Sequence, residues 1–340
     1  NEKARTIYHA EDYVPDVFDD RVVDPMKIEE IDQWEKENVI SHRDGSKDIH
    51  IYLGRPVNLG FALHFPLLQR KGNNIMCASG TEEQQMRILR AIISSFARQS
   101  DFSVDIMADS YASVYREYKP EILEFGKNYP EIRVHDDLED IFYKIVETLE
   151  IIKDRSNTRK QLIVWLGLDS MADILADERN KRTPVLKKAE EKATQSEVSE
   201  SVSEEESEKT DFNDPALDEF SALFGDMDLF GEEDINEEEP ETGKEAQTSY
   251  LYDARNDIAR IIHLGPTCNV FNLVIYDSAS ALRDFREVKT LDFNHKIAFP
   301  MSDYEAGEFL DQPRLIRELS GQLAYYHNGR SGNRFVPYKL

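Results

Sequence analysis

Apolar residues recur along this chain with two periods, and their alternation lays out an α/β protein. Residues 48–54 and 61–65 alternate polar with apolar side chains, as His50/Tyr52 and Ala62/His64 show, the pattern of half-buried antiparallel strands. Lys71, Gly72 and Asn73 form a turn signal before a buried strand at residues 74–78. Residues 82–98 carry Met86, Leu89, Ile92, Ile93 and Phe96 at helical spacing. A strand at 102–107, a short helix at 118–125, a brief strand at 132–134 and a helix at 138–153 follow, the last marked by Ile141, Ile145, Leu149 and Ile152. Residues 161–168 are almost continuously apolar, as a strand covered on both faces must be. Order resumes near residue 250. A helix (253–264), a strand (270–276), a helical stretch (279–286), a strand (295–299) and two short helices (303–310, 314–319) are expected. A terminal hairpin of residues 322–326 and 334–338 has Asn328-Gly329 near its turn. Strands alternating with helices predict a mainly parallel sheet with helices on both faces.

Composition changes the picture between those halves. The chain has 340 residues and a formal charge of −26, and residues 190–245 hold 22 acids and three lysines, −19 of that total. The remaining −7 is ordinary, so the acidity belongs mainly to one insertion, placed at residues 189–248. Its Glu/Ser-rich stretch at 196–208 cannot bury enough apolar surface to order itself. Within it, residues 218–230 set Phe220, Leu223, Phe224, Met227, Leu229 and Phe230 among acids at spacings of three to four. Three readings stay open for this motif: a helix that docks on a partner's groove, a helix that docks on its own domain, or a segment without a role. The division expected is a linker or strap at 1–47, with a short helix at 26–37, then domain halves at 48–188 and 249–340 around the insertion. No basic face suits a phosphate backbone, so direct nucleic-acid binding is not expected. No Cys/His spacing suggests a metal, and Cys77 and Cys268 read as small buried apolar groups. No run approaches the length of a membrane helix, and no signal peptide is visible. A cytoplasmic location is the default, with the cytoplasmic face of a membrane complex as a variant. A first residue other than Met suggests a piece of a longer protein.

Candidate chemistry begins at Gly80-Thr81-Glu82-Glu83-Gln84-Gln85-Met86-Arg87, which follows the buried strand and precedes helical spacing. The octet has the length and position of a phosphate-binding loop, G-x-x-x-x-G-K-[ST]. Such a loop wraps phosphates with backbone N–H groups, meets the β- and γ-phosphates with Lys and holds Mg²⁺ with Ser or Thr. Here the first Gly remains, but Gln85, Met86 and Arg87 stand at the second Gly, the Lys and the hydroxyl positions. Glu82 and Glu83 sit where a triphosphate would lie.

The order of these pieces resembles the FtsK/SpoIIIE/HerA family of ring-forming P-loop motors, which includes DNA translocases and type VII secretion ATPases. The resemblance covers residues 49–185 and 250–338 and rests on order and spacing more than identity. It implies a RecA-like fold, with small antiparallel additions at both ends. On the family's Walker B pattern, residues 164–173 place Asp169 at the Mg²⁺-linked Asp and Ser170 at the catalytic Glu. Residues 258–260 match a helix start, and residues 275–279 put Asp277 at the polar position that senses the γ-phosphate. Lys296 to Phe299 with Ser302-Asp303 resembles the next strand and its turn.

With Lys, hydroxyl, catalytic Glu and sensor all replaced, the resemblance implies a degenerate ATPase domain, because phosphoryl transfer depends on positioning and charge stabilisation. Gly80, Thr81, Gln85 and Arg87 would be a vestigial phosphate loop, and Met86, Arg87, Asp169, Ser170 and Asp277 degenerate catalytic positions. No cofactor is expected, and ATP with Mg²⁺ would bind weakly at most. Protein partners, namely other ATPase domains or subunits of a ring motor, are expected instead. The alternative is a motor subunit that binds nucleotide and borrows a cation from a neighbour, with Lys71, Arg87 or Arg90 as the group supplied. A third reading is a generic α/β scaffold whose function lies in residues 218–230.

Overall fold

The computed structural model describes residues 29–38, 49–58, 61–98, 101–155, 159–171, 254–283, 285–317 and 319–338. The acidic insertion, with Phe220, Leu223, Phe224, Met227, Leu229 and Phe230, lies outside them, as does most of residues 1–47.

Among the described residues, ten strands form one sheet. They are β1 (Ile49–Pro56), β2 (Leu63–Leu67), β3 (Ile75–Ala78), β4 (Phe102–Ala108), β5 (Ile132–His135), β6 (Lys160–Leu166), β7 (Val270–Tyr276), β8 (His295–Ala298), β9 (Ala324–His327) and β10 (Gly332–Pro337). Their spatial order is β2-β1-β10-β9-β8-β3-β7-β6-β4-β5. The six strands from β8 to β5 are mutually parallel. The other four are antiparallel. The sheet is thus the mainly parallel α/β sheet expected, with additions from both chain ends. Those additions pair with each other, β1 against β10, and extend a single edge.

Alternation along each parallel strand serves two cores. On β3, Ile75 and Cys77 face one side, while Met76 and Ala78 face the other. The first side is covered by α2 (Glu82–Phe96) and α3 (Ser113–Asn128), following α1 (Glu29–Asn38) in the chain. The second side is covered by α4 (Leu138–Asp154), α5 (Ala254–Leu264) and α6 (Asp303–Leu310). Helix α1 lies within the stretch read as a linker. It buries Ile31 and sets Trp34 against His64, His50 and Phe61, with ring centroids 4.3, 5.1 and 5.5 Å apart. Arg98 ties it down through Asp32 and Glu35.

Several elements differ from the sequence expectation: the helical stretch expected at 279–286 and the helix expected at 314–319 are short 3₁₀ turns at Ala279–Arg283 and Pro313–Leu315. The helix expected at 118–125 is part of the longer α3, which kinks at Tyr118 (φ −112°, ψ 22°) just before Pro120. Proline lacks an amide hydrogen and crowds the preceding turn, so it marks the kink rather than a helix start. The strand expected at 161–168 ends at Leu166, because Gly167 takes φ +74° and residues 168–171 are helical.

A buried polar network crosses the second core. Asn74 Nδ2 donates to the carbonyls of Ile262 (2.6 Å) and Asp292 (2.9 Å), while its Oδ1 accepts from the backbone and side-chain nitrogens of Asn272 (3.0 Å each). Asn272 Oδ1 accepts from Trp165 Nε1 at 3.1 Å. Three strands, α5 and the turn at Asp292 are thereby locked in register.

His295 is buried at 5% exposure, stacked on Phe65 beside Tyr326. Its Nδ1 lies 2.8 Å from Tyr326 Oη, and its Nε2 has no partner. Burial, and then the nearby Arg70 cation, push its pKa down from the model-peptide value of 6.5 to about 3. A base whose folded pKa is depressed stabilises the fold fully above its unfolded pKa. That contribution is lost as pH falls from 6.5 toward about 3. The slope approaches about 1.4 kcal/mol per pH unit. Urea titrations at pH 7, 5.5 and 4.5 are expected to show this extra slope in the natural chain and its removal in His295→Phe; equal slopes would contradict it.

Candidate functional site

The carboxyl ends of the parallel strands are where open α/β sheets bind ligands, and most of the candidate positions from the sequence lie on or beside this edge. The turn after β3 is short. Only Ser79, Gly80 and Thr81 separate the strand from α2, so Glu82 to Arg87 are helix rather than loop. Ser79 (φ +64°) and Gly80 (φ +91°) make the turn in left-handed conformations. A Cβ on Gly80 would come 2.7 Å from the Phe299 ring, so glycine is needed there for space as well as angle.

The start of α2 is occupied by its own residues. Thr81 caps it: its Oγ1 accepts from Gln84 N (3.3 Å), and Gln84 Oε1 accepts from Thr81 N (2.9 Å). Gln84 Nε2 also donates to Gly321 O, fastening the turn to the loop before β9. Glu82 and Glu83 are exposed on the first turn, where carboxylates favour the positive end of the helix dipole.

Gln85 is buried and donates to the carbonyls of Ser79 (3.4 Å) and Tyr276 (3.3 Å); its Oε1 is buried without a partner. Met86, at the lysine position, is 2% exposed in the core. Arg87 is 6% exposed, paired with Glu83 and bonded to Gln322 Oε1 at 3.1 Å. Its guanidinium is therefore buried and partnered within the chain. Arg90 is held by Glu121, and Lys71 is exposed in the turn before β3, near the opposite end of that strand.

The Walker B positions follow the same logic. Asp169 and Ser170 lie in a helical turn instead of at a strand end. Ser170 Oγ donates to the carboxylate of Asp109 and lies 3.0 Å from Gly167 O. Asp109, just past β4, is 7% exposed, and its N–H donates to Leu166 O, which ties the ends of β4 and β6. Asp169 faces Tyr276, whose hydroxyl is buried without a partner; burial first, and then the Asp169 charge, push that phenol's pKa up. Asp277 caps a helix. Its Oδ1 accepts from Ser113 Oγ (2.7 Å) and its Oδ2 from Ser113 N (3.1 Å), at the start of α3, where Ala112 offers no side-chain cap. Next to it, Ser278 Oγ donates to Glu305 Oε1 at 2.6 Å, and Ser302 Oγ to Glu305 Oε2 at 2.8 Å.

The structure thus gathers Gly80, Thr81, Gln85, Asp169, Ser170 and Asp277 along one edge. It adds Asp109, Ser113 and Glu305, which sequence reasoning missed. Only Asp109, an acid at the end of a predicted strand, left a signal. Mg²⁺–ATP does not fit this set. The lysine position is inside the core, the arginine is spent on Glu83 and Gln322, the charged members of the set itself are carboxylates, and the nearby Arg283 and Arg317 are paired with Glu308 and Asp303. Among the described residues, no group of three or more His, Cys, Asp or Glu is placed to hold a metal ion.

No protein-family model matches the chain. No curated protein matches it either. Similar solved structures exist. The cytoplasmic domain of the Thermomonospora curvata type VII secretion ATPase EccC is 12% identical over 85% of this chain and 28% of that one, with a TM-score of 0.46. T. curvata EccC ATPases 2 and 3, in complex with a signal sequence peptide, are 9% identical over 85% of this chain and 42% of that one, with a TM-score of 0.48. The pCW3 conjugation coupling protein TcpA, in monomer form with ATPγS, is 9% identical over 86% of this chain and 66% of that one, with a TM-score of 0.45. At such identities the likeness is one of fold alone. This chain spans 28% to 42% of the length of the two EccC chains. Among the described residues, no helix is long and apolar enough to cross a membrane.

Proposed function

We infer that this chain is a nucleotide-fold module that does not turn over ATP and acts by protein contact within a larger motor assembly. The observation that carries the reading is the start of α2. A phosphate loop needs backbone N–H groups open to the ligand and a lysine that can reach it. Here Thr81 and Gln84 satisfy each other's N–H groups, Met86 is buried, and Arg87 is paired with Glu83. A triphosphate arriving at this edge would meet Glu82, Glu83, Asp169 and Asp277 with no open cation among them. Ser170 and Asp277 each hold a structural hydrogen bond in place of a catalytic one.

Other ATPase domains or subunits of a ring motor are the partners proposed. That class follows from the order of motor-like segments in the sequence, and the motif at 218–230 is the proposed docking element. A steady-state assay of the isolated chain with millimolar ATP and Mg²⁺ is expected to show no turnover above a protein-free blank. Turnover that Asp169→Asn abolishes would overturn the reading.

A further inference from the structure

At the opposite end of the sheet, the side under α4 is polar where a helix-covered face should be apolar. Alternation on three neighbouring strands turns Ser103 and Asp105 of β4, Arg133 of β5 and Gln161 of β6 toward α4. Phe102, Val104, Ile132 and Leu162 pack into the other core. These polar groups line a cavity of about 360 Å³, closed on the helix side by Lys144, Glu147 and Ile151.

The floor of the cavity is fixed. Asp105, 1% exposed, meets His135 Nε2 at 3.0 Å, Lys144 Nζ at 3.2 Å and Gln161 Nε2 at 2.8 Å. Burial pushes the Asp105 carboxyl up, but the hydrogen bond from His135, the Lys144 charge and the Gln161 amide outweigh it and hold the group below the usual carboxylate range. Lys144, 5% exposed, is also held by Glu147 at 3.1 Å. An ammonium has three donors, so one of Lys144 remains after these two carboxylates. Buried ionic groups with all their partners in place are rigid and hold neighbouring groups in fixed directions.

The rim is different. Glu131, Arg133 and the Ser103 hydroxyl have no side-chain partner among the described residues. Their cavity therefore offers unused donors in Arg133, Ser103 and Lys144, and unused acceptors in Glu131 and Gln161 Oε1. Its charged lining balances, with Asp105, Glu131 and Glu147 against Arg133, Lys144 and Arg159. A balanced lining has little long-range attraction for a simple anion or a simple cation. It complements a molecule that carries both charges a few ångströms apart.

We propose that this cavity binds a small zwitterion of the α-amino-acid type, its carboxylate toward Arg133 and Lys144 and its ammonium on Glu131. The site is separate from the nucleotide-like edge and does not depend on how that edge is read. The test is calorimetric titration of the natural chain with a panel of free L-amino acids, and with acetate and methylammonium as the two halves. At least one amino acid is expected to bind, both halves at least about tenfold more weakly. Glu131→Ala and Arg133→Ala are each expected to weaken that amino acid at least about tenfold while leaving the melting temperature unchanged, because both side chains reach solvent and support no other group. No binding by any panel member up to ~10 mM would overturn the proposal. So would binding that both rim variants leave intact, or acetate alone binding as well as the amino acid.

Discussion

Asn74→Leu is expected to destabilise the fold by about 3–5 kcal/mol, the largest single-residue effect in the sheet. The substitution is close in volume, so packing is not the main loss. Four groups lose a hydrogen bond at once: the carbonyls of Ile262 and Asp292, the Asn272 backbone N–H, and the Asn272 side-chain amide, which keeps only Ile261 O at 3.4 Å. Each unsatisfied buried group costs about 1–3 kcal/mol, and partial relaxation keeps the sum below the simple total. Asn272→Leu is expected to cost a similar amount, and the double variant less than the two added, because both remove one network. Urea unfolding reads this as a drop in midpoint at constant m. A loss below about 1 kcal/mol for Asn74→Leu would mean that the network does not hold the register of β3, β6 and β7.

The second large effect concerns the attempt to restore catalysis. Met86→Lys with Ser170→Glu rebuilds two family residues, and the expected outcome is a destabilised chain without ATPase activity. Met86 is 2% exposed, in the same apolar core as Ile75, Leu89 and Phe299, so a lysine there must bury its ammonium or force the side chain out of the core. Ser170 donates to Asp109, which is 7% exposed, so a glutamate would lose that bond and bring a second carboxylate against the first. Each change should cost about 2–4 kcal/mol, and the two sites follow β3 and β6, which β7 separates in the sheet, so the costs should add roughly. Thermal unfolding and a hydrolysis assay on the same sample check this. A double variant that keeps its melting temperature and hydrolyses ATP would show an intact nucleotide site.

Much of the sheet was legible because its signal is local. β3, β6 and β7 are short runs of apolar residues, and α2 and α4 carry helical spacing that no neighbouring residue contradicts. What the sequence hid depends on partners far along the chain. Asn74 looks like a polar residue at a strand start until Asn272 and Ile262 are placed beside it. Asp277 looks like a sensor residue until the start of α3, 164 positions away, proves to lack its own cap. The octet at Gly80 matched a loop by count, yet the turn is only three residues long. Thr81 and Gln84 form a capping box, a helix-start signal that competes with the phosphate-loop pattern in the same letters. The polar floor under α4 is written as alternation in β4, β5 and β6, but its meaning needs the register of all three strands.

The most direct test of the central claim is calorimetric titration of the isolated chain with Mg²⁺–ATP and Mg²⁺–ADP. With the start of α2 self-capped, Met86 buried and Arg87 paired, no binding is expected up to ~1 mM. Micromolar affinity for either nucleotide, lost on Gly80→Val, would contradict the account and mean that this edge still cradles phosphate.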